Sequence, residues 1–299
     1  MYASVPMLAF GIQSYNSEII KIIVFTVICL YSGFFAALIW NDITDADIDA
    51  VAHPDRPIPS GRISKSRFFA IALIFSALTF IFAFLVSPLC FFLVGFAALF
   101  VTFHDKFLKK KVKLPAYSEI FTPIQWIVVA IFGFFAIWTA LPQSSDIFIN
   151  IPYLGNISTE INAVQQMLIL VVFVYFIDNA HDLAEGIVDV DGDRIHGVKT
   201  YATSFGVKNA ARLSFIWFLI AGIMGVILFL KTVLSYVFLI PFICIWIYIT
   251  YQSFRLLTSK KEDIKKIGAI VGRRGFDFFL FSFNFMFLDL LVQLIIHHL

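Results

Sequence analysis

Long apolar runs separated by short polar segments dominate the sequence. A transmembrane helix needs about 18 to 20 predominantly apolar residues, and eight runs meet that length: residues 19–40, 67–86, 88–107, 118–140, 162–180, 213–230, 233–252 and 276–296. A shorter N-terminal run, MYASVPMLAFGI, predicts a ninth, partial span and lacks the charged start and cleavage site of a signal peptide. The pattern predicts an all-α polytopic membrane protein with a bundle of about nine transmembrane helices.

The composition agrees with this prediction. Sixty percent of the 299 residues are hydrophobic and only 14% are charged, whereas soluble domains have about 25% charged residues. The three cysteines, Cys29, Cys90 and Cys244, all lie within apolar runs. Their positions predict no disulfide and provide no metal-binding cysteine spacing.

The distribution of basic residues predicts the topology. Of 22 Lys and Arg residues, 20 fall into the four segments 56–67, 106–113, 194–212 and 255–274. Basic loops face the cytoplasm, so these segments, the acidic motifs and the N-terminus are expected on the cytoplasmic side. The C-terminus is then expected outside. The net charge of +2 adds little, and no nucleic-acid partner is expected.

The order of elements repeats along the chain. Two helices, an acidic segment, two helices and a basic segment occupy residues 1–116, and the same order returns over 117–275. Such repetition predicts two pseudo-repeated halves. No linker divides them, so residues 1–299 are predicted to form a single domain. Segment 142–160 is expected to be the one sizeable external loop. Segment 259–274 fits either an amphipathic helix at the membrane surface or a solvated basic loop.

The first acidic segment is NDITDADIDA, residues 41–50. At about 100° per residue, Asn41, Asp42, Asp45 and Asp49 share one arc of about 100° on a helix. Asp47 points away from that arc. The segment therefore predicts a stripe of polar oxygen ligands with one aspartate outside it.

The second acidic segment, DNAHDLAEGIVDVDGDR, begins at residue 178 and behaves in the same way. On a helix its stripe contains five carboxylates and leaves Asp191 on the opposite side. Gly186 and Gly192 are expected to allow a bend. The stripe consists of Asp178, Asp182, Glu185, Asp189 and Asp193.

Aligned carboxylates at a membrane edge need a cation. An ionised side chain at membrane depth costs about 2.5–3.5 kcal/mol on insertion scales, and the nearby basic residues are too few to match two stripes. Mg²⁺ binds one or two carboxylates together with substrate phosphates. Two facing stripes therefore predict a Mg²⁺–diphosphate site; solvated loop charge is the alternative. An EF-hand is excluded because Gly192 and Thr200 occupy the wrong positions of such a loop.

The two motifs resemble those of the UbiA-type intramembrane prenyltransferase superfamily. The pattern N-D-x-x-D-x-x-x-D is matched by Asn41, Asp42, Asp45 and Asp49, followed by PDRPIPSG at 54–61. The second pattern, D-x-x-x-D with a downstream G-x-x-T, is matched by Asp189, Asp193, Gly197 and Thr200. The resemblance covers essentially the whole chain.

The resemblance implies nine helices around a central cavity that opens sideways to lipid. It implies that Asp42, Asp45, Asp189 and Asp193 are catalytic and that Asn41 and Asp49 join them in binding Mg²⁺, with two ions expected. It also implies an isoprenyl diphosphate donor and a lipophilic acceptor. Five basic residues are candidates for holding the diphosphate, with ordinary cytoplasmic charge as the alternative: Arg56, Lys106, Lys109, Arg194 and Lys199.

Aromatic residues on these helices are candidates for shielding a carbocation, although lipid-facing packing is the alternative for each: Phe34, Phe35, Phe103, Trp126 and Tyr175. The chain departs from the family at three places. Ala52 stands where an Asn is frequent, His104 where a Tyr is frequent, and Glu185-Gly186 where Lys-Asp is frequent. His104 fits either a base or diphosphate donor, or a structural histidine at the interface.

These observations predict transfer of an isoprenyl group to a lipophilic acceptor, aromatic or quinone-precursor in kind, with release of diphosphate. A terpene cyclase that needs no acceptor is the alternative within the same fold. A cation or proton transporter that uses the acidic stripes is the alternative from another class.

Overall fold

The computed structural model describes residues 1–44, 46, 50, 55–104, 108, 111–141 and 146–298. Asp45, residues 47–49, Ala52, Lys106 and Lys109 therefore lie outside the described residues. The elements in chain order are α1 (Ser4–Phe10), α2 (Ser17–Thr44), α3 (Lys65–Val86), α4 (Pro88–Phe103), α5 (Tyr117–Phe121), α6 (Ile124–Trp138), β1 (Ile147–Ile151), β2 (Gly155–Thr159), α7 (Ile161–His196), α8 (Tyr201–Phe205), α9 (Val207–Lys231), α10 (Tyr236–Leu257) and α11 (Ile264–His298).

The predicted helical membrane fold is confirmed, but the count of nine spans is not. Seven helical segments of the described chain are long and apolar enough to cross a membrane, with α5 and α6 together forming one of them. Helix α4 is apolar but shorter, at 16 residues, and α1 has only seven residues. The helix order thus follows the predicted one, and the chain is an integral multi-pass membrane protein.

Polar residues at helix boundaries explain where several spans begin. Ser64 accepts a hydrogen bond from the Arg67 amide at the start of α3. Ser87 does the same for the Cys90 amide at the start of α4, where Pro88 occupies the first helical position. Serine caps satisfy amides that lack a partner within the helix, and proline is tolerated there because it needs no such partner.

The short helix α1 is a buried part of the bundle. It packs against α6 and α11, with Val5 and Leu8 buried. A Cβ atom at Gly133 of α6 would lie 2.7 Å from the Val5 side chain, so glycine permits this contact. Tyr15, in the link to α2, donates a hydrogen bond to the Gly11 carbonyl, and burial raises the pKa of its phenol to about 12.

The predicted external loop contains a β-hairpin that the sequence patterns did not predict. Strands β1 and β2 pair antiparallel, with Asn150 opposite Asn156. The Asn150 amide donates a 2.7 Å hydrogen bond to the Asn156 side chain. Tyr153 and Gly155 have positive φ angles of 66° and 106° and form the turn. The hairpin leads directly into α7.

Helices α7 and α11 are longer than their apolar runs. Helix α7 continues for 36 residues through Gly186 and Gly192, so neither glycine ends it. Helix α11 begins at Ile264. Residues 264–274 are therefore its first turns: they are helical, which differs from the solvated-loop alternative, and they continue directly into the apolar part of α11.

Three glycines bring α11 into close contact with α7. A Cβ atom at Gly268 would lie 3.1 Å from the Ala184 carbonyl oxygen, and one at Gly272 would lie 2.5 Å from Glu185 Cγ. A Cβ atom at Gly275 would meet His181. Small residues at such spacing allow helix backbones to approach closely in membranes. This contact fixes the part of α7 that carries the second acidic segment.

Candidate active site

The first acidic motif lies at the C-terminal end of α2. Asn41 is exposed and Asp42 is half-buried, while the neighbouring Trp40 indole donates a 3.0 Å hydrogen bond to Ser76 of α3. The helical conformation through Thr44 agrees with the helical geometry assumed for the motif. Asp45, Asp47 and Asp49 lie outside the described residues, so the arc they complete remains a prediction.

The loop after this motif places a cation beside it. Arg56 Nη1 lies 3.6 Å from Asp42 Oδ1. Backbone hydrogen bonds from Ser60 to Arg56 and from Gly61 to Ile58 hold the loop in a turn. Gly61 has a φ angle of 72°, a conformation that glycine adopts without steric cost. Residues 55–61 therefore form a closed turn that places Arg56 beside Asp42.

The second motif is carried by the continuous helix α7. Its uninterrupted geometry places Asp182, Glu185, Asp189 and Asp193 on one face, as predicted. Asp191 lies outside that face, and its Oδ2 atom accepts a 2.6 Å hydrogen bond from Lys265 Nζ of α11. Asp191, which the helical geometry places off the stripe, thus pairs with a lysine of α11.

The G-x-x-T portion of the second motif ends α7 and starts α8. Gly197 ends α7 with φ 74° and ψ 15°, the left-handed conformation typical of a helix C-terminus. Thr200 begins α8, and its Oγ1 accepts the Thr203 amide at 3.2 Å. The chain therefore turns back over the acidic face within four residues.

Glu119 of α5 is a site residue that the sequence analysis missed. Its Oε1 accepts a 2.6 Å hydrogen bond from the Tyr201 amide. A Cβ atom at Gly186 would lie 3.9 Å from this oxygen, so Glu119 lies against α7 where Gly186 has no side chain. The site therefore takes a carboxylate from a third helix.

The cations other than Arg56 have less defined positions. Arg194 and Lys199 are exposed near the end of α7, and the Lys199 carbonyl accepts the Ser118 amide at 3.2 Å. Lys106 and Lys109 lie outside the described residues. The assignment of these four residues to the diphosphate remains a prediction.

His104 is a packing residue in this structure. It is buried, and its ring stacks nearly parallel to Phe121, with an interplanar angle of 10°. The Tyr117 ring lies on the same stack, 5.5 Å away. This placement supports the structural interpretation of His104 over a role as base or diphosphate donor.

A line of aromatic rings crosses the bundle from α2 to α7. Phe34 lies 6.3 Å from Trp126 of α6, which lies 4.9 Å from Phe279 of α11. Phe279 stacks with Phe276, and Phe276 lies 5.4 Å from His181 of α7. Two of the predicted cavity aromatics, Phe34 and Trp126, belong to this line.

The other three predicted aromatics have different surroundings. Phe35 is exposed; its ring lies 5.7 Å from Phe34 and 5.4 Å from Phe75 of α3. Phe103 is exposed, and Tyr175 packs edge-on against Phe176. A role of these three residues in lining a cavity remains a prediction.

The donor set of the two motifs suits Mg²⁺. The described members, Asn41, Asp42, Asp189 and Asp193, offer only oxygen atoms, which Mg²⁺ prefers. All four side chains are exposed or half-buried, so a diphosphate can reach an ion held there. The chemistry of these residues therefore fits the predicted cofactor.

Comparison with known proteins identifies the family. The profile of the UbiA prenyltransferase family matches residues 3–282. The chain belongs to this family. The predicted resemblance is therefore confirmed, and so, at the level of the family, is the prediction of a prenyltransferase-type enzyme.

Individual relatives agree with this assignment. The digeranylgeranylglyceryl phosphate synthase of Sulfolobus acidocaldarius is 26% identical over 190 residues, which cover 63% of this chain and 57% of that protein. The match thus spans little more than half of that relative's length.

Solved structures support the fold. An apo UbiA homologue from Aeropyrum pernix K1 superposes with a TM-score of 0.63 at 18% identity, covering 94% of this chain and 97% of the other. A UbiA homologue from Archaeoglobus fulgidus bound to DMAPP and Mg²⁺ gives a TM-score of 0.53 at 15% identity, covering 92% and 94%. The fold predicted from the spans and motifs is the fold of these proteins.

Proposed function

We propose that this protein transfers an isoprenyl group from an isoprenyl diphosphate to a lipophilic acceptor in a Mg²⁺-dependent reaction. The observation that carries the proposal is the unbroken helix α7, which presents Asp182, Glu185, Asp189 and Asp193 on one face. The Asp42–Arg56 pair at the end of α2 supports a second, matching acidic element. A UbiA homologue bound to DMAPP and Mg²⁺ supports the choice of donor and cofactor.

In the proposed reaction, the bond between the allylic carbon and the diphosphate oxygen breaks, and the electron pair leaves with diphosphate. The acceptor then forms a bond to the allylic carbon and releases a proton. Mg²⁺ acts as a Lewis acid that offsets the negative charge of the leaving group. Arg56 is placed to bind the diphosphate oxygens, since guanidinium groups bind such anions in bidentate fashion.

The apolar interior has a role in the same reaction. The rings of Phe34, Trp126 and Phe279 follow one another across the bundle. Aromatic faces stabilise nearby cations, and an apolar lining excludes water that would otherwise capture a carbocation. We infer that the prenyl chain lies along this line of rings.

The acceptor is the least defined partner. The relatives are named for a glyceryl phosphate that carries two geranylgeranyl groups, which favours an acceptor of the prenylated glyceryl phosphate class. An aromatic or quinone-precursor acceptor, as anticipated from the motifs, is the second candidate. Both are lipophilic, which suits the cavity open to lipid that the family resemblance implies.

The test uses the full chain purified in detergent, a radiolabelled geranylgeranyl diphosphate donor and Mg²⁺. Diphosphate release and labelled lipid are measured with a monoprenylated glyceryl phosphate, with a phenolic acceptor and with none. Release that depends on an acceptor supports the transferase, and the acceptor that gives product defines the class. Hydrocarbon or terpene alcohol formed without any acceptor would instead identify a cyclase. Cation flux in proteoliposomes without any prenyl diphosphate would favour a transporter.

A further inference from the structure

One histidine and two aspartates form a close group on α7, N-terminal to the motif aspartates Asp189 and Asp193. Asp178 is 1% exposed and His181 is 5% exposed. Asp178 Oδ1 lies 3.2 Å from His181 Nε2, and Asp182 Oδ1 lies 3.3 Å from His181 Nδ1. One ligand atom from each of the three residues lies within 4.8 Å of the others. The spacing D-x-x-H-D puts them on one helix face.

The charge of this group is not balanced by the protein. Asp178, Asp182 and Glu185 all lie within 4.0 Å of His181, and no lysine or arginine of the described chain forms an ion pair with these three carboxylates. Glu185 is half exposed to solvent, but even a protonated His181 leaves the two aspartates with one negative charge in excess. Buried charges are stable only when paired or bound to a metal.

Unsatisfied atoms at the group point to a missing ligand. Among the described residues, Asp178 Oδ2, Asp182 Oδ2 and His181 Nδ1 are buried without a hydrogen-bond partner. The Asp178 side chain, which carries one of these atoms, is 99% buried. Unpaired buried oxygen atoms cost about 1–3 kcal/mol each, and a cation bound between them removes that cost.

We propose that Asp178, His181 and Asp182 bind a divalent transition metal of the Mn²⁺, Fe²⁺ or Zn²⁺ class. A mixed imidazole and carboxylate donor set suits these metals, whereas Mg²⁺ prefers oxygen ligands alone. The carboxylate-x-x-His spacing is the one that helical bundles use for di-iron and di-manganese sites. The ion neutralises the carboxylate charge, and the Phe276 ring, 5.4 Å from the His181 ring, packs beside the ligand.

This site lies apart from the motif aspartates Asp189 and Asp193, although Asp182 belongs to the same carboxylate face of α7. Asp182 and Asp189 are seven residues apart, which is about 10 Å along a helix, and one ion with ligand distances of about 2 Å cannot bridge them. The site also needs no diphosphate, because three protein ligands are already present. It therefore stands whether or not the proposed reaction is correct.

The test is metal binding by the purified, untagged, EDTA-treated chain, with Mn²⁺ as the probe and no diphosphate. We expect at least one bound ion that shows imidazole nitrogen coupling in pulsed EPR, whereas an ion held only by the oxygen atoms of the acidic motifs shows none. His181→Gln is expected to abolish that coupling and to weaken Mn²⁺ binding by more than the roughly 10- to 100-fold that losing an outer-shell partner costs. The matched control is His196→Gln, in the last turn of the same helix, which should leave the nitrogen coupling unchanged.

Two results would overturn the site. Wild-type protein that binds Mn²⁺ without any nitrogen coupling would show an oxygen-only site, and coupling that survives in His181→Gln but disappears in His196→Gln would place the ion elsewhere. If His181→Gln does not fold, the wild-type spectrum of protein labelled with ¹⁵N-histidine decides: the coupling must change from the ¹⁴N to the ¹⁵N pattern. Asp178→Asn then tests the aspartate ligand.

Discussion

Gly275 of α11 lies directly against His181 of α7. A Cβ atom built on Gly275 would come within 2.6 Å of His181 Cβ and 2.7 Å of the Phe218 ring. Real Cβ atoms do not approach other atoms so closely, and His181 and Phe218 are both buried. The contact therefore sets the distance between the two long helices at the level of the second acidic segment.

Substituting Gly275 tests this contact. We expect Gly275→Ala to lower the free energy of unfolding by about 1–3 kcal/mol, the usual cost of overpacking, measured by thermal unfolding in detergent. Gly192→Ala is the matched control, because a Cβ atom there meets nothing within 4 Å and alanine favours the helix by up to about 1 kcal/mol. Equal destabilisation of the two variants would contradict the proposed packing.

Arg56 is expected to bind the donor diphosphate. Replacement by Gln removes a charged hydrogen bond worth about 1.5–3 kcal/mol, so kcat/KM for the donor should fall roughly 10- to 100-fold. Arg56→Lys should recover part of this loss, because it restores the charge without the bidentate geometry.

The control for Arg56 comes from the same turn. The Arg62 guanidinium donates to the Asp55 carbonyl and to Ser60 Oγ within the loop. Arg62→Gln should therefore affect loop stability more than donor affinity. If Arg62→Gln and Arg56→Gln raise the donor KM equally, the change reflects loss of the loop conformation and not loss of a diphosphate contact.

The role of the Glu119 charge can be tested by moving a carboxylate from α5 to α7. Glu119→Gln retains an oxygen acceptor for the Tyr201 amide but removes the negative charge beside Gly186. We expect turnover to fall by at least about tenfold with little change in thermal stability, since charge rather than the hydrogen bond is lost. Gly186→Asp in that background returns a carboxylate to α7 and should restore part of the activity. If the double variant stays folded but shows no recovery of activity, the role of Glu119 is limited to its hydrogen bond with the Tyr201 amide of α8.

The acidic motifs were predictable because a helix places residues on its faces by spacing alone. The separation of Asp191 from Asp189 on α7 follows from that rule, and the structure pairs Asp191 with Lys265. The length of α7 was underestimated for a related reason. Its polar residues after Ile177 end the apolar run, yet contacts with α9 and α11 keep the segment helical.

Features that depend on distant contacts were not predictable from one sequence. Glu119 joins the site only because α5 docks on the turn at Thr200, some eighty residues later. His181 was overlooked because the stripe was drawn from carboxylates alone, although D-x-x-H-D in an apolar run was a readable signal. The hairpin was not predicted because its two strands have five residues each, which is too short for a clear alternating pattern.

Asp289 shows that a buried carboxylate in this bundle can serve stability. It is fully buried on α11 and accepts hydrogen bonds from the Ser235 amide at 2.6 Å and from Ser235 Oγ at 2.5 Å. Ser235 is the N-cap of α10. Asp289→Ala should reduce the free energy of unfolding by about 2–3 kcal/mol, because buried donors lose their acceptor.

The activity of an Asp289 variant separates stability from chemistry. Asp289→Asn keeps one acceptor oxygen and should retain the wild-type donor KM at a temperature below unfolding. Gln293 also donates a hydrogen bond to Asp289. Gln293→Ala leaves the hydrogen bonds between Asp289 and Ser235 in place, so it should lower the free energy of unfolding less than Asp289→Ala. A folded Asp289→Asn variant with a strongly reduced kcat would instead assign this carboxylate to the reaction.

Asp189 and Asp191 provide the sharpest contrast within one helix turn. Asp189 belongs to the carboxylate stripe, whereas Asp191 lies off it and binds Lys265 at 2.6 Å. We expect Asp189→Asn to lower kcat at least about 100-fold, since metal-assisted departure of the diphosphate is worth several kcal/mol. Asp191→Asn should keep activity within about threefold, because the lost partner is an exposed lysine.

The same contrast is predicted for the first motif: Asp45→Ala should abolish turnover, and Asp47→Ala should have a mild effect on it. Steady-state kinetics with saturating Mg²⁺ measure all four variants, and equal losses at Asp189 and Asp191 would show that the helical face does not decide which carboxylates act.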